Sequence, residues 1–245
     1  MSQDLSCQFI KGTTIDDIHF KLIRRLFQRG NVYVIDRGSW EGHKRLEFDY
    51  ATFQITVPGT RPLAPQLPPG LPPVTDEESI NQYFVKYIMN DEVNPNEIYT
   101  YGEFVTKQVP DIIKMFKEKG YGTNHAVIAI GNEESIKQEH PPCLRIVQFF
   151  VARGMLHMSV YFRSWDLWGG LPENLGGLQL LKEYVAQEIN AVDGEIFASS
   201  PGLHLYDMQW PVALARLNGV MPEESVITQE EAELGEGWMN QEVKD

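Results

Sequence analysis

One stretch, residues 144–163, constrains the fold more than any other. From Leu156 the chain alternates strictly, with Leu156, Met158, Val160 and Phe162 on one face and His157, Ser159, Tyr161 and Arg163 on the other. That period of two belongs to a half-buried strand. A second apolar run, 144–151, precedes it, and only Ala152-Arg153-Gly154 lies between. So short a link with a glycine in it predicts an antiparallel hairpin. One side of the pair is oily and the other polar, so it needs cover on one face and can line a pocket with the other.

Four helical stripes supply the cover. Ile15, Ile18, Leu22 and Leu26 lie between Thr14, a candidate cap, and Gly30, a candidate stop. Ile80, Phe84, Tyr87 and Ile88 follow Asp76, and Leu178, Leu181, Val185 and Ile189 make another stripe. Val109, Ile112, Ile113 and Phe116 run to Gly120, which places Pro110 in a first turn. Strands are expected at 32–35, 45–57 and 126–130 as well. The fold class is therefore α/β of the mixed, α+β kind. Seven prolines within 58–73 rule out helix or central strand there and predict an extended connector on the surface. Too few residues precede it for a separate core, so a single domain over 1–220 is expected, followed by an acidic tail, 221–245.

Charge narrows the partners. The 245 residues carry 21 Lys and Arg against 34 Asp and Glu, a net charge of −13. No broad basic surface for a nucleic-acid polymer or an anionic membrane is expected. The tail alone contributes seven of those thirteen charges. No apolar run approaches the roughly 18 residues a membrane span needs, and Met1-Ser2-Gln3-Asp4 does not open a secretory leader, so a cytoplasmic protein is expected. Cys7 and Cys143 fit neither a disulfide framework nor a zinc spacing, which suits a reducing compartment and gives no metal site.

Cys143 enters the hairpin after Pro141-Pro142, and Arg163-Ser164 leaves it. With a turn near Arg153, thiol and guanidinium come to the same end of the pair. A neighbouring cation favours the thiolate, which is the nucleophilic form. The plain alternative is a buried thiol beside an arginine that bonds only backbone. Asn174, near the start of a helix, is either a cap or an amide offering one donor and one acceptor to a heterocycle.

Taken together these residues resemble the thymidylate synthases. The family pattern of Pro-Cys, Gln-Phe, Arg-Ser, Asp, Gly-x-Pro-x-Asn and His-x-Tyr is matched by Pro142-Cys143, Gln148-Phe149, Arg163-Ser164, Asp166, Gly170-Leu171-Pro172-Glu173-Asn174 and His204-Leu205-Tyr206, at the family's intervals. The run Tyr161-Phe162-Arg163-Ser164-Trp165-Asp166-Leu167-Trp168-Gly169-Gly170, with Tyr99-Thr100-Tyr101-Gly102, looks most like the short archaeal-type branch. Likeness is strong from Tyr99 to Arg216. It implies a thymidylate-synthase-like mixed sheet with packed helices, two sheets stacking in a homodimer.

The resemblance also implies roles. Cys143 would attack C6 of the uracil of dUMP, with 5,10-methylenetetrahydrofolate or methylene-tetrahydromethanopterin as donor. Arg163 would activate the thiol and, with Ser164, hold the phosphate, which Arg37, or alternatively Arg45, would also reach. Asn174 would read N3 and O4, where relatives that act on cytosine carry a carboxylate. Gln148 would line the nucleotide pocket, His204 and Tyr206 would take the 3′-hydroxyl, Asp166 and Gly170 the pterin, and Tyr101 would stand near the reacting carbon.

Three departures qualify this. Thr123-Asn124-His125 stands where the family has two arginines. The family's helix with a proton-managing glutamate is not recognisable, with Glu77 and Glu78 the nearest carboxylates, and the tryptophans before the Tyr-Gly motif are absent. The apolar C-terminal ending gives way to the acidic tail, with Trp238 and Met239 as the candidate plug. Methylation of dUMP is thus the expected activity, hydroxymethylation of (d)UMP or (d)CMP the alternative, and nucleotide binding without catalysis the third possibility.

Overall fold

The hairpin forms as its alternation requires. A computed structural model describes residues 4–37, 40–93 and 98–218. In chain order the elements are β1 (Cys7–Gly12), α1 (Ile15–Arg29), β2 (Asn31–Val34), β3 (Lys44–Glu47), β4 (Tyr50–Ile55), α2 (Glu77–Tyr83), α3 (Gly102–Lys119), β5 (Val127–Ala129), β6 (Leu144–Ala152), β7 (Met155–Phe162), β8 (Trp165–Asp166), α4 (Gly170–Glu188), β9 (Val192–Ser200), β10 (Leu203–Tyr206) and α5 (Trp210–Asn218). A π-helical turn, Phe84–Ile88, extends α2.

β6 and β7 pair antiparallel around Arg153 and Gly154, both at positive φ. They sit in a six-stranded mixed sheet of order β1-β4-β9-β7-β6-β5, and a four-stranded sheet runs β2-β3-β10-β8. Leu156, Met158, Val160 and Phe162 are buried with Val147 and Phe149 under α4, whose Leu171, Leu175, Leu178 and Leu181 are buried in turn. α1 adds Ile15, Ile18, Leu22, Ile23 and Leu26 to the same core. Thr14 caps α1, its side chain accepting from the Asp17 amide, and Gly30 closes it by bonding the Leu26 carbonyl.

Three expectations change. The run 45–57 is two strands, because Phe48 turns into the core at 1% exposure and Asp49 is drawn to Ser6 and Asn31. The proline at 110 lies inside α3, which begins eight residues earlier at Gly102. Gly102 is required there: a Cβ would stand 1.8 Å from the Asn90 carbonyl oxygen. The proline-rich connector is not merely a surface strap. Leu63, Ala64 and Pro65 are buried, the Ala64 amide donates to Glu77, and Arg61 forms a two-pronged pair with Glu183. No helix among the described residues is long and apolar enough to cross a membrane. The acidic tail, with Trp238 and Met239, lies outside the described residues.

Candidate active site

The ends of β6, β7, β8 and β10 and the start of α4 converge at one edge. The Arg163 amide donates to the Cys143 carbonyl at 2.9 Å, so the hairpin ladder continues one pair beyond the strands and joins the two residues. A register shift between Leu144 and Ile146 leaves Arg145 as the extra residue and bends the strand just after the cysteine.

Arg163 does not point its charge at the sulfur alone. Its Nε donates to the Pro142 carbonyl at 3.2 Å and its Nη2 to the Pro141 carbonyl at 2.7 Å. The guanidinium thus clamps the segment that carries the thiol. Burial pushes the Cys143 thiol up, and Arg163 opposes that only in part. The expectation of a thiol depressed by its arginine is therefore corrected: dehydration of the thiolate outweighs a cation that is itself exposed to water.

Tyr101, at the head of α3, is 5% exposed and its hydroxyl accepts from the Leu144 amide at 3.2 Å, next to the cysteine. Burial raises this phenol well above its ordinary range, so it stays protonated. It belongs to a cluster that sequence reasoning missed. Tyr83 and Tyr87 stack with centroids 5.3 Å apart, Tyr87 meets Tyr101 edge-on at 5.1 Å, and Tyr99 lies 5.8 Å from Tyr101. At the far end the Asn174 Nδ2 donates to the Tyr83 hydroxyl at 2.8 Å. A continuous aromatic wall therefore runs from the Leu144 amide, next to the cysteine, to the Asn174 amide.

Asn174 is inside α4, not at its cap. Its Oδ1 accepts from the Trp165 indole at 2.9 Å. Neither Glu77 nor Glu78 reaches it: Glu77 takes the Ala64 amide and Glu78 the Gln82 side chain. Tyr83, one residue before the apolar stripe of its helix resumes, is what α2 presents instead.

Asp166 accepts from the amides of Trp168, Gly169 and Gly170 at 3.0, 3.3 and 3.2 Å. A carboxylate fits this place because the amides leading into and opening α4 lack helical partners. His204 is 3% exposed, and its Nδ1 must donate to the Gly202 carbonyl at 2.9 Å, since a carbonyl only accepts. Burial lowers its basicity, so the ring is neutral and Nε2 is an acceptor. Among the described residues that buried Nε2 has no partner. Tyr206 meets the same ring edge-on at 4.7 Å.

The remaining residues sit further out. Ser164 is half-buried between Arg163 and Trp165. Gln148 lies on the polar face of β6, its Nε2 3.4 Å from the Asn124 carbonyl. Arg37 is 92% exposed and pairs with Asp36 at 3.8 Å; its neighbours Gly38 and Ser39 lie outside the described residues. Arg45 is nearer, on β3 opposite Tyr206, but is paired with Glu47 at 2.9 Å.

A half-buried thiol, an arginine holding its backbone, a fixed carboxamide and an orphaned imidazole acceptor suit an enzyme that attacks a polar ring through sulfur. Similarity to known proteins narrows that class. The family model described as Thymidylate synthase matches residues 76–232. A protein named "Putative thymidylate synthase" from Methanosarcina mazei is 25% identical over 219 residues, covering 87% of this chain and 96% of its own length. Thymidylate synthase from Listeria monocytogenes is 33% identical over 100 residues, 41% of this chain and 32% of that one. The solved thermostable thymidylate synthase A from Bacillus subtilis shares the fold, with a TM-score of 0.65 over 86% of each chain at 16% identity. The chain belongs to the thymidylate synthase family. Membership points to pyrimidine C5 transfer with a folate or pterin one-carbon donor.

Proposed function

We propose that the protein methylates C5 of dUMP, using Cys143 as a covalent catalyst. One observation carries this: the tyrosine wall runs from the backbone beside the Cys143 thiol at one end to the Asn174 carboxamide at the other. Sulfur adds to C6, and the electron pair moves through C5 to O4, making C5 nucleophilic; once C5 carried the one-carbon unit and had lost its proton with release of the donor nitrogen, hydride arriving at the exocyclic carbon would re-form the C5–C6 double bond and expel the thiolate. Asn174 retains one free amide hydrogen and one free lone pair, the complement of uracil O4 and N3–H. His204 Nε2 accepts from a sugar hydroxyl, which would satisfy its orphaned lone pair, and Tyr206 shares that role. Arg163, Ser164 and Arg37 or Arg45 hold the phosphate, and Gln148 lines the nucleotide pocket. Tyr101 offers a protonated hydroxyl beside the reacting sulfur.

The pterin fits the residues present. Asp166 is half-buried at the edge of the site, and its charge is held in place by three amides, so it can also accept from the N–H groups of a pterin ring. Added Cβ atoms at Gly169 and Gly170 would come no nearer than 3.5 Å to any neighbour, which leaves room beside it. A bound methylene-tetrahydropterin, of the folate or methanopterin kind, supplies the one-carbon unit and, for a methyl product, the hydride.

We further infer one catalytic domain over 1–220 and a homodimer formed by stacking of the larger sheets. Phe9 on β1, and Val127 and Ile146 on β5 and β6, are exposed on the face away from the core, apolar surface that a second copy would cover. Sedimentation as a monomer would contradict the dimer. Incubation of dUMP, dCMP, UMP and CMP with each methylene-pterin, followed by mass analysis, tests the activity. The expected product is dTMP with oxidised dihydropterin. A hydroxymethyl product, or conversion of cytidylate alone, would replace this reading. Hydroxymethylation is the second reading, motivated by the absent tryptophans before the Tyr-Gly motif and the acidic tail in place of an apolar ending.

A further inference from the structure

The Asn174 amide is held between two unlike partners, and the difference between them has a consequence for substrate choice. On one side stands the Trp165 indole, 2.9 Å from Oδ1; on the other the Tyr83 hydroxyl, 2.8 Å from Nδ2. An indole N–H only donates, whereas a phenol both donates and accepts. Turning the amide over would still satisfy Tyr83, whose hydroxyl can rotate to donate. It would set an NH2 group against the indole N–H and leave a buried donor unpaired.

Trp165 cannot move aside. It is 2% exposed and stacks on Phe162 with centroids 3.7 Å apart and planes within 10°. Phe53 packs 5.7 Å away, and the Trp165 amide is tied to the Gly202 carbonyl at 2.8 Å in the β8–β10 pairing. The indole is therefore a fixed donor built into the core, and it sets which way the half-buried amide faces.

Uracil and cytosine differ at the edge Asn174 would read. Uracil offers an acceptor at O4 and a donor at N3; cytosine offers a donor at N4 and an acceptor at N3. The same carboxamide can serve either base by turning over. We propose that Trp165 is a specificity-determining positioning residue: its donor-only indole locks the Asn174 amide in the orientation complementary to uracil. Asparagine alone does not exclude cytidylate. This deepens the reading of the site given above and rests on Asn174 contacting the base.

The test uses direct binding of dUMP and dCMP by calorimetry, with no pterin and no turnover, on the full chain. Wild type is expected to favour dUMP. In Trp165→Phe that preference falls by about tenfold to hundredfold, the cost of one buried unpaired donor expressed as a ratio. Because the ring packs in the core, the same measurement is made with Trp165 replaced by benzothienylalanine, which keeps the shape and lacks the N–H. Tyr83→Phe is expected to weaken both nucleotides alike and leave their ratio within about threefold, since the phenol accepts either orientation. An unchanged ratio in the benzothienylalanine protein, or an equal collapse in Tyr83→Phe, overturns the inference and leaves dUMP recognition standing. A wild type that binds neither nucleotide, or prefers dCMP, overturns the underlying reading and this inference with it.

Discussion

The two ends of the candidate site are built differently. At the base end each polar group has a set partner: Asn174 between Trp165 and Tyr83, and Tyr101 on the Leu144 amide. At the phosphate end the cations are engaged elsewhere or lie in water, with Arg163 on the Pro141 and Pro142 carbonyls, Arg45 on Glu47 and Arg37 beside Asp36. Thr123-Asn124-His125 adds an exposed asparagine and histidine in place of an arginine pair. On the proposed reading, base recognition is organised before a ligand arrives, while phosphate recognition requires ion pairs and hydrogen bonds to be exchanged. Preorganised groups give specificity; groups that must rearrange surrender part of their affinity.

The largest expected effect separates chemistry from binding at the base end. Cys143→Ser is expected to lower turnover by about a thousandfold or more, since a serine hydroxyl without a strong base is a far weaker nucleophile. Calorimetry should find dUMP affinity within severalfold of wild type. Turnover close to wild type would end the covalent mechanism. Next comes Arg163→Ala, which removes a guanidinium expected on the phosphate and a clamp on the thiol segment. Loss of one charge-assisted interaction predicts about ten- to hundredfold weaker dUMP binding, with uridine affected far less. Equal losses for uridine and dUMP would move Arg163 from phosphate binding to structure alone.

How much of this was legible in the sequence follows the range of the interactions. The hairpin, the α1 stripe with its Thr14 and Gly30 ends, and the Cys143–Arg163 meeting are all set by local period and turn length, and each is found. The start of α3 was not visible, because its first turn depends on Gly102 fitting against Asn90 across a loop. Tyr83 and Trp165 escaped notice for a related reason. Tyr83 reaches Asn174 across 91 positions, and Trp165 reads as an ordinary core aromatic until its indole nitrogen is placed. The buried middle of the connector depends on Glu77 and Glu183, distant residues that no proline count reveals.

Two buried histidines offer a smaller test. His204 lies against Tyr206, and His19 packs against Trp168, donating to the Leu167 carbonyl at 3.0 Å. Burial lowers the basicity of both, His19 well below 6.5, with Arg216 adding to the effect at His19. Above about pH 6.5 the folded and unfolded forms are both neutral at these rings, and stability is fully present. As pH falls below that value the unfolded chain takes up protons that the folded one refuses. Each such ring then removes about 1.4 kcal/mol of stability per pH unit until its folded value is reached. His19→Gln should flatten the acid limb of a urea-midpoint series between pH 7 and 5 by about one ring's share, and an unchanged slope would assign that limb to other groups.

The smallest effect joins the two ends, because Arg163 serves both. The Cys143 thiol is raised by burial and drawn back in part by Arg163. The thiolate is the reactive form, so kcat/KM for dUMP should climb with pH towards the raised thiol value and level off beyond it. Removing the cation in Arg163→Gln leaves burial unopposed, and the limb should move to higher pH. The exposed side chain is screened by water, which keeps the expected displacement small. Arg163→Lys keeps the charge but loses the two-pronged hold on the Pro141 and Pro142 carbonyls. It should therefore keep the limb near its wild-type position while lowering the plateau. If both variants move the limb equally, the arginine acts on the thiol through backbone placement and not through charge. The phosphate end would then contribute nothing electrostatic to the chemistry at the base end.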